Sequence, residues 1–346
     1  MKWKMLLPVF AALPGLMFAS AAFAQTTLRV ISDRTPSHLG TLFEYYQQQT
    51  GVRVDAVFVK QGLNARLKSR PTEADVVITK AANLLELAKG QGVLQPYSSD
   101  VIDSTVAPQY RDPDRQYIVT SFRPRSIFAS RARVEPGSVV SYDDLLDTRW
   151  KGRVCIRSGY HAYNISLFSQ MAADRGLVYT RWFISGLHAN LARSPKGNDR
   201  AQVRAIYRDQ CDLSIGNSYY MPLMLERDDQ RPWGEASYLV FPNQTNRGAY
   251  LMRSGAALTR AQRNVPAATR FLEFLVSAIG QDFVVKTTYE YPVKDGIALP
   301  GPVKVLGREQ GITDGGFMPK VVPLAPSVAM RNEVVKILDE VDFDRK

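Results

Sequence analysis

Strand and helix patterns alternate along this chain, and the alternation restarts once near its middle. Apolar stretches at residues 27–32 and 74–79 predict strands, and a stretch of helical periodicity at 38–49 lies between them. Parallel strands need such helical crossovers, so the pattern predicts a parallel sheet in an α/β layer. The same order begins again after residue 152, with a strand at 153–157 followed by a helix. We therefore predict two α/β lobes, and connecting strands without a low-complexity linker favour a hinge and a ligand cleft between them.

The first 24 residues have the features of a secretory signal peptide. Lys2 and Lys4 form a short basic start, an apolar core follows at 6–18, and residues 22–24 match the Ala-x-Ala pattern of a cleavage site. A membrane anchor is the alternative, but the core is shorter than the roughly 20 apolar residues that span a bilayer. We predict cleavage after Ala24 and a location in the periplasm.

The chain is basic, with a net charge of +11. Such a balance can indicate a nucleic-acid partner. The export signal and the scattered positions of the basic residues argue against one. We expect instead that the positive electrostatic field attracts an anionic ligand. We also expect a monomeric protein.

Two cysteines, Cys155 and Cys211, each stand at the start of a predicted strand. An exported compartment permits disulfides, which favours a Cys155–Cys211 bridge over two buried free thiols. In the chain-entropy model such a bridge stabilises the fold by about 4 kcal/mol.

The sequence lacks the common catalytic motifs of serine hydrolases, zinc peptidases and P-loop proteins. Its cysteines are too far apart for a C-x-x-C site, and three histidines leave little room for a histidine-built metal centre. We therefore predict a binding protein. An enzyme on the same fold is the remote alternative.

A pair of tyrosines gives the most informative segment, CDLSIGNSYY at residues 211–220. Asn217 and Ser218 are good helix caps, which predicts Tyr219 and Tyr220 in the first turn of a helix. The positive end of a helix lowers the cost of forming an anion, and phenolate is a hard oxygen ligand suited to ferric iron. Tyr163, at a second strand-to-helix junction, is a candidate third phenolate. Aromatic packing or sugar stacking is the alternative.

An ordered series of motifs resembles the periplasmic ferric-iron-binding proteins of ABC importers, which are bacterial transferrin-like members of the periplasmic binding protein superfamily. The resemblance spans residues 28–344. It implies an N-terminal lobe of 25–122 with about 250–300, and a C-terminal lobe of 123–249 with about 301–346. The motifs are W-K-G-R-V-C-I-R-S from residue 150, Y-N-x-S-L from 163, N-x-A-R-x-P-x-G-N-D-R from 190, C-D-L-S-I-G-N-S-Y-Y from 211, F-P-N-Q from 241 and Y-E-Y-P-V from 289.

The resemblance implies ferric iron in the cleft and its delivery to an ABC permease. Tyr219 and Tyr220 match the paired tyrosine ligands of the family, and Tyr163 matches a third ligand used by one branch. Arg123 matches an arginine that lies near the tyrosines and favours their ionised form. The positions that match an anion pocket beside the metal are Ser158, Gly159, Asn198 and Asn217. The cysteines that match the pair of the same branch are Cys155 and Cys211.

The chain departs from this family after its first predicted strand. One branch has S-x-R-H-Y there, and its histidine and tyrosine reach the metal from the N-terminal lobe. Thr35 and Pro36 replace both ligands, and His38 is the one nearby candidate substitute. The N-terminal lobe is therefore predicted to have lost its protein ligands.

A lysine replaces a carboxylate that some relatives place after a strand corresponding to 76–79. A lysine facing a metal requires an intervening anion. We therefore expect Lys80, Arg34 and Arg123 to hold a carbonate, phosphate or organic chelator that completes the shell of Fe(III). A non-metal anionic solute, such as a sugar phosphate, is the alternative ligand.

Overall fold

The structure, a computed structural model, describes residues 26–262 and 264–346. The predicted signal peptide and its cleavage site after Ala24 lie outside the described residues. The strands are β1 (Thr27–Ser32), β2 (Arg53–Phe58), β3 (Val76–Thr79), β4 (Leu94–Gln95), β5 (Ile118–Ser130), β6 (Val154–Cys155), β7 (Leu213–Asn217), β8 (Ser237–Val240), β9 (Ala249–Thr259), β10 (Tyr291–Pro292) and β11 (Pro319–Lys320). The helices are α1 (Pro36–Thr50), α2 (Leu63–Ser69), α3 (Asn83–Gly90), α4 (Asp100–Thr105), α5 (Ala162–Ala189), α6 (Asp199–Tyr207), α7 (Tyr220–Leu225), α8 (Arg231–Glu235), α9 (Val265–Val276), α10 (Ala278–Thr288), α11 (Gly301–Lys304), α12 (Leu324–Ala329) and α13 (Arg331–Glu340).

Helix α1 shows how the local sequence sets the bounds of an element. Pro36 lies in its first turn, where the fixed φ of proline suits a helix and its missing N–H is not needed. Gly51 follows the last turn in the left-handed conformation, with φ of 69°, and ends the helix. The face that packs into the core carries Leu39, Leu42, Phe43 and Tyr46.

The strands form a curled sheet in which β2-β1-β3-β9-β5-β7-β6 are neighbours in that order. β1 pairs in parallel with β2 and β3, and β6 pairs in parallel with β7. The long strands β5 and β9 are antiparallel to each other and to β7 and β3. The predicted parallel sheet is therefore correct for the outer strands and wrong for the centre. Long central strands that return through the sheet pair antiparallel, whereas helical crossovers produce parallel neighbours.

Strand β5 belongs to both halves of the molecule. Its residues 118–124 pair with β9, whereas residues 125–129 pair with β7. One hydrophobic core includes Leu28 and Phe271, and a second core includes Phe168 and Val334. A third, smaller cluster includes Phe128 and Met224. The two larger cores, joined by the shared strand, form the predicted two-lobed fold.

The long helix α5 spans 28 residues. It is interrupted at Gly176, whose φ of 82° is readily adopted only by glycine. Across residues 26–262 and 264–346, every helix is too short or too polar to cross a membrane.

The predicted disulfide is confirmed. Cys155 and Cys211 are bonded, with their Cα atoms 5.8 Å apart. The bond joins the end of β6 to the residues before β7. These two strands precede the helices that carry the three candidate tyrosines.

Candidate metal centre

Three tyrosines are carried by two strand-to-helix junctions. Tyr163 lies in the first turn of α5, which follows β6, and Tyr219 and Tyr220 lie where β7 meets α7. Because β6 and β7 are parallel neighbours, both junctions lie at one edge of the sheet. The rings of Tyr219 and Tyr220 are 4.2 Å apart between centroids.

The predicted caps of the tyrosine helix are not its caps. Asn217 is the last residue of β7, and Tyr219 occupies the N-cap position of α7 without a side-chain hydrogen bond. Asn217 Oδ1 instead accepts a hydrogen bond from Arg125 Nη1 at 3.1 Å. The buried Arg125 competes for this side chain, and no local sequence pattern indicates that contact.

Arginines surround Tyr163. The guanidinium carbons of Arg123, Arg125 and Arg157 lie 5.7, 5.8 and 5.3 Å from the centroid of its ring. Arg123 also lies 5.9 Å from the ring of Tyr219. This places Arg123 beside the tyrosines, where a positive charge favours phenolate.

Asp199 neutralises two of these arginines. Its carboxylate is fully buried and accepts hydrogen bonds from Arg125 at 2.8 Å and Arg157 at 3.0 Å. It also accepts one from the backbone N–H of Asn217 at 3.1 Å. Burial alone would raise the pKa of Asp199, but Arg125 and Arg157 outweigh it and hold that pKa below its usual value. Asp199 stands in the N-x-A-R-x-P-x-G-N-D-R motif, but we did not predict it as a site residue.

A second carboxylate balances the arginines on the N-terminal side. Glu290 accepts a hydrogen bond from Arg34 at 2.7 Å, and its other oxygen lies 3.6 Å from Arg123. Ser254 donates to the same carboxylate at 2.9 Å. Burial alone would raise the pKa of Glu290, but Arg34 and Arg123 lower it to about 2. Glu290 lies in the motif Y-E-Y-P-V. A carboxylate between aromatic residues was the sequence feature that could have indicated its place in the site.

Arg34 is predicted to hold an anion, but its guanidinium is already paired with the carboxylate of Glu290. Its Nη2 atom also donates to Ser254 at 2.6 Å and to Ser121 at 3.3 Å. The side chain is 4% exposed, and these hydrogen bonds with the protein are all made by Nη2.

Lys80 stands at a cleft that it shares with Arg123 and Tyr163. Its Nζ donates to the backbone oxygen of Asp33 at 3.1 Å, and Arg123 donates to the backbone oxygen of Lys80 at 2.7 Å. No carboxylate in the part of the chain that the structure describes forms an ion pair with Lys80. Its ammonium therefore retains donors for an anion in the cleft.

Thr35 and Pro36 begin α1 and are exposed. The hydroxyl of Thr35 lies 2.9 Å from that of Ser37. His38 is half-buried, and burial and the charge of Arg34 lower its pKa. Whether His38 substitutes for the missing ligands stays a prediction.

Three of the predicted anion-pocket residues have other partners. The backbone N–H of Gly159 donates to Asp344 at 2.7 Å, and a Cβ there would lie 2.5 Å from Phe343. Asn198 is exposed and caps α6 through Ala201 N–H. Ser158 Oγ accepts from Tyr160 N–H at 3.2 Å.

Asn217 differs from these three residues. It is fully buried, and its Nδ2 has no hydrogen-bond partner among residues 26–262 and 264–346. A buried amide nitrogen without a partner favours a nearby acceptor, such as an oxygen of a bound anion.

Burial raises the pKa of both paired tyrosines. For Tyr219 the neighbouring Tyr163 and Tyr220 raise it further, whereas Arg123 lowers it. For Tyr220, Tyr163 and Asp199 add to the rise. These two phenols are therefore neutral near pH 7 until a cation displaces their protons.

The donor set of the site is phenolic. Within the described ranges, no group of three or more histidine, cysteine, aspartate and glutamate side chains could hold a metal ion. The three tyrosines thus remain the candidate protein ligands for a hard trivalent cation.

The comparisons with known proteins agree on one family. Residues 72–308 match the family described as bacterial extracellular solute-binding protein. The chain is 33% identical over 326 residues to Iron uptake protein A1 of a Synechocystis species, covering 92% of this chain and 90% of that protein.

Solved structures share the fold. The ferric iron-binding protein A of Mannheimia haemolytica, in an open conformation, superposes with a TM-score of 0.84 at 32% identity, covering 93% of this chain and 100% of that one. The Trichodesmium protein IdiA (FutA), in complex with iron and citrate ligands, gives a TM-score of 0.85 at 28% identity, covering 92% and 99%. The resemblance identified from the motifs is thereby confirmed, and the chain belongs to the bacterial extracellular solute-binding proteins, among the ferric-iron-binding members of the periplasmic binding protein superfamily.

Proposed function

We propose that this protein captures ferric iron outside the cytoplasm and delivers it to an ABC permease. The observation that carries the proposal is the convergence of Tyr163 and Tyr219 on Arg123, with Tyr220 beside them. Phenolate oxygens neutralise most of the charge of a trivalent cation. The names of the relatives, an iron uptake protein and a ferric iron-binding protein, support the same cargo.

An anion completes the iron shell in this proposal. Thr35 and Pro36 offer no ligand of the kind the family places there. Lys80 borders the same cleft as Tyr163 and retains hydrogen-bond donors. Carbonate, phosphate or an organic chelate such as citrate is therefore the bridge between the metal and the N-terminal lobe. Asn217, whose amide nitrogen has no partner among the described residues, is the residue of the predicted anion pocket best placed to donate to this anion.

The lobes move relative to each other in the proposed mechanism. We assign residues 25–122 and about 250–300 to the N-terminal lobe, and 123–249 with about 301–346 to the C-terminal lobe. Iron binds first to the C-terminal lobe, because that lobe carries all three tyrosines. Closure then follows from contacts that Lys80 makes with the anion only in the closed state.

The proposed oligomeric state, location and lack of catalysis are taken from the resemblance to the family. We propose a monomer that acts in the periplasm after removal of the signal peptide, with no catalytic activity. Binding of an anionic solute without a metal, such as a sugar phosphate, is the second candidate. It is favoured by the one observation that Lys80 has no carboxylate partner in the described ranges.

Metal analysis of the purified protein tests the cargo. Iron-loaded protein is expected to contain one ferric ion and to show a visible phenolate-to-iron charge-transfer band. A colourless protein that takes up no iron, with or without carbonate, phosphate and citrate, would contradict the iron proposal. Binding of a sugar phosphate by that same protein would then support the second candidate.

A further inference from the structure

A second cavity lies outside the tyrosine centre. It has a volume of about 380 Å³ and is enclosed by α3, by the loop at 108–113 and by the residues that lead into α12. This volume is in the range of small-molecule sites. The residues that matter for its chemistry are Tyr110, Tyr117, Val119, Arg253, Pro323 and Leu324.

Arg253 contributes a buried charge to this cavity. It is 5% exposed, and its side chain makes no hydrogen bond or ion pair with any other residue that the structure describes. Burying an unpaired charge is costly, and native proteins almost always provide a partner. Burial lowers the pKa of Arg253 to about 10, which leaves the guanidinium charged near pH 7.

The other charges around the cavity already have partners. Glu86 accepts a hydrogen bond from the hydroxyl of Tyr117 at 2.5 Å. Lys89 forms ion pairs with Asp112 and Asp114, each at 2.7 Å. Arg111 is paired with Asp103. Arg253 is thus the one cationic side chain among the described residues of the lining that has neither an ion pair nor a hydrogen bond.

A second donor is available beside Arg253. Tyr110 lines the same cavity, and its hydroxyl makes no hydrogen bond to any residue in 26–262 or 264–346. A guanidinium and a phenol together suit a carboxylate, which accepts two hydrogen bonds from the arginine and one from the hydroxyl.

We propose that this cavity binds a small organic monocarboxylate with an apolar body. The unpaired guanidinium of Arg253 suits a ligand with one carboxylate. The aliphatic and proline side chains on the walls, including Val119, Leu324 and Pro323, favour an aromatic or short aliphatic body. The buried arginine acquires its missing counter-charge from the ligand.

The two sites are neighbours, so the test must separate them. Arg253 and Leu324 also border the cleft that contains Lys80 and Tyr163. An anion bound at the tyrosine centre depends on Lys80. A ligand of the second cavity depends instead on Arg253 and on the mouth of the cavity near Ala325.

Calorimetric titration of the iron-free mature protein with benzoate tests the proposal, with benzamide as the uncharged analogue. Benzoate is expected to bind with a millimolar or lower Kd, and benzamide about 10-fold more weakly or not at all. Arg253→Met, which keeps the length of the side chain without its charge, is expected to lose benzoate binding by about 10-fold or more while its melting temperature is unchanged or higher. Lys80→Ala is expected to bind benzoate as the wild type does.

A steric variant keeps the proposal testable if Arg253→Met does not fold. Ala325→Trp fills the mouth of the cavity and is expected to weaken benzoate, whereas Ala329→Trp, on the same helix but outside the cavity, leaves binding unchanged. Absence of benzoate and hexanoate binding at millimolar concentrations would overturn the proposal. Equal benzoate binding by the wild type and Arg253→Met would also overturn it. The same holds if Lys80→Ala loses benzoate binding while Arg253→Met retains it. None of these results depends on whether the tyrosines bind iron.

Discussion

The guanidinium of Arg125 donates to the carboxylate of Asp199 over 2.8 Å, and neither side chain is exposed to solvent. Asp199 also binds Arg157, so one carboxylate holds two of the three arginines that surround Tyr163. The positive field at the tyrosine thus depends on a residue of α6 that is not itself a predicted ligand.

Loss of this carboxylate is expected to destabilise the fold. Asp199→Asn leaves the buried Arg125 and the partly buried Arg157 without their counter-charge, and removal of one partner of a buried pair costs about 3–5 kcal/mol. Chemical denaturation of the iron-free protein measures the effect. Asp228→Asn, which removes a fully exposed partner of Arg231, is the matched control and should change the free energy of unfolding little. An equally small change in Asp199→Asn would contradict the structural role.

Phenolate coordination predicts a specific spectral loss. Tyr219→Phe and Tyr220→Phe are each expected to remove most of the visible band and to weaken iron binding, because each change deletes one ligand oxygen. Tyr163→Phe is expected to reduce the band less completely. Tyr207→Phe, an exposed tyrosine on α6, controls for general effects of losing a phenol. An unchanged band in Tyr219→Phe would exclude Tyr219 as a ligand.

An anion at Lys80 predicts a change in anion dependence. Lys80→Ala is expected to raise the carbonate or phosphate concentration needed for iron loading, while the position of the band stays almost the same. The exposed Lys60 supplies the control Lys60→Ala. Iron titrations at a series of carbonate or phosphate concentrations measure this dependence. Identical curves for the wild type and Lys80→Ala would show that Lys80 does not hold the anion. A Thr35→His, Pro36→Tyr double change that failed to tighten iron binding would count against our alignment of that loop.

Iron affinity is expected to increase with pH. The pKa of Tyr219 and that of Tyr220 lie above the usual value, so each phenol must release a proton when iron binds. Protons compete with the metal, and acidification from about pH 8 to 5 should therefore release iron. Burial and Arg157 lower the pKa of His161 to about 4, so this histidine does not titrate in that range. Iron retention that is flat with pH would contradict phenolate binding.

The lowered pKa of the buried Glu290 predicts that the protein loses stability as the pH falls from about 4.5 towards 2. Its pKa of about 2 in the folded protein is below the ordinary value of 4.5, so its ionised form stabilises the fold above the ordinary value. That contribution is lost as pH falls from about 4.5 towards 2. The difference in unfolding free energy between wild type and Glu290→Gln should be constant above pH 5 and shrink below it. Glu333→Gln, an exposed glutamate on α13, is the control. A pH-independent difference would exclude this ionic role of Glu290.

The sequence alone determined the features that depend on local order. Alternating strand and helix patterns predicted two α/β lobes, and two strand-to-helix junctions predicted where Tyr163 and the pair at 219–220 lie. The Cys155–Cys211 disulfide was also predicted from local position and compartment. Periodicity and turn residues act over a few neighbouring positions, so they can be recognised without a partner segment.

Only the tertiary structure decided which charges meet. Arg34 and Glu290 are 256 positions apart, and Arg125 and Asp199 are 74 apart. Arg34 reaches Glu290 where β5 and β9 pair antiparallel, and Arg125 reaches Asp199 where β5 pairs antiparallel with β7. The helical crossovers did not predict either arrangement. The same packing turns Gly159 towards the C-terminal residues and Asn217 towards Arg125. Local sequence defined the tyrosine ligand candidates, whereas long-range pairing of buried charges defined the field around them, because burial forces each charge to find a partner wherever the fold provides one.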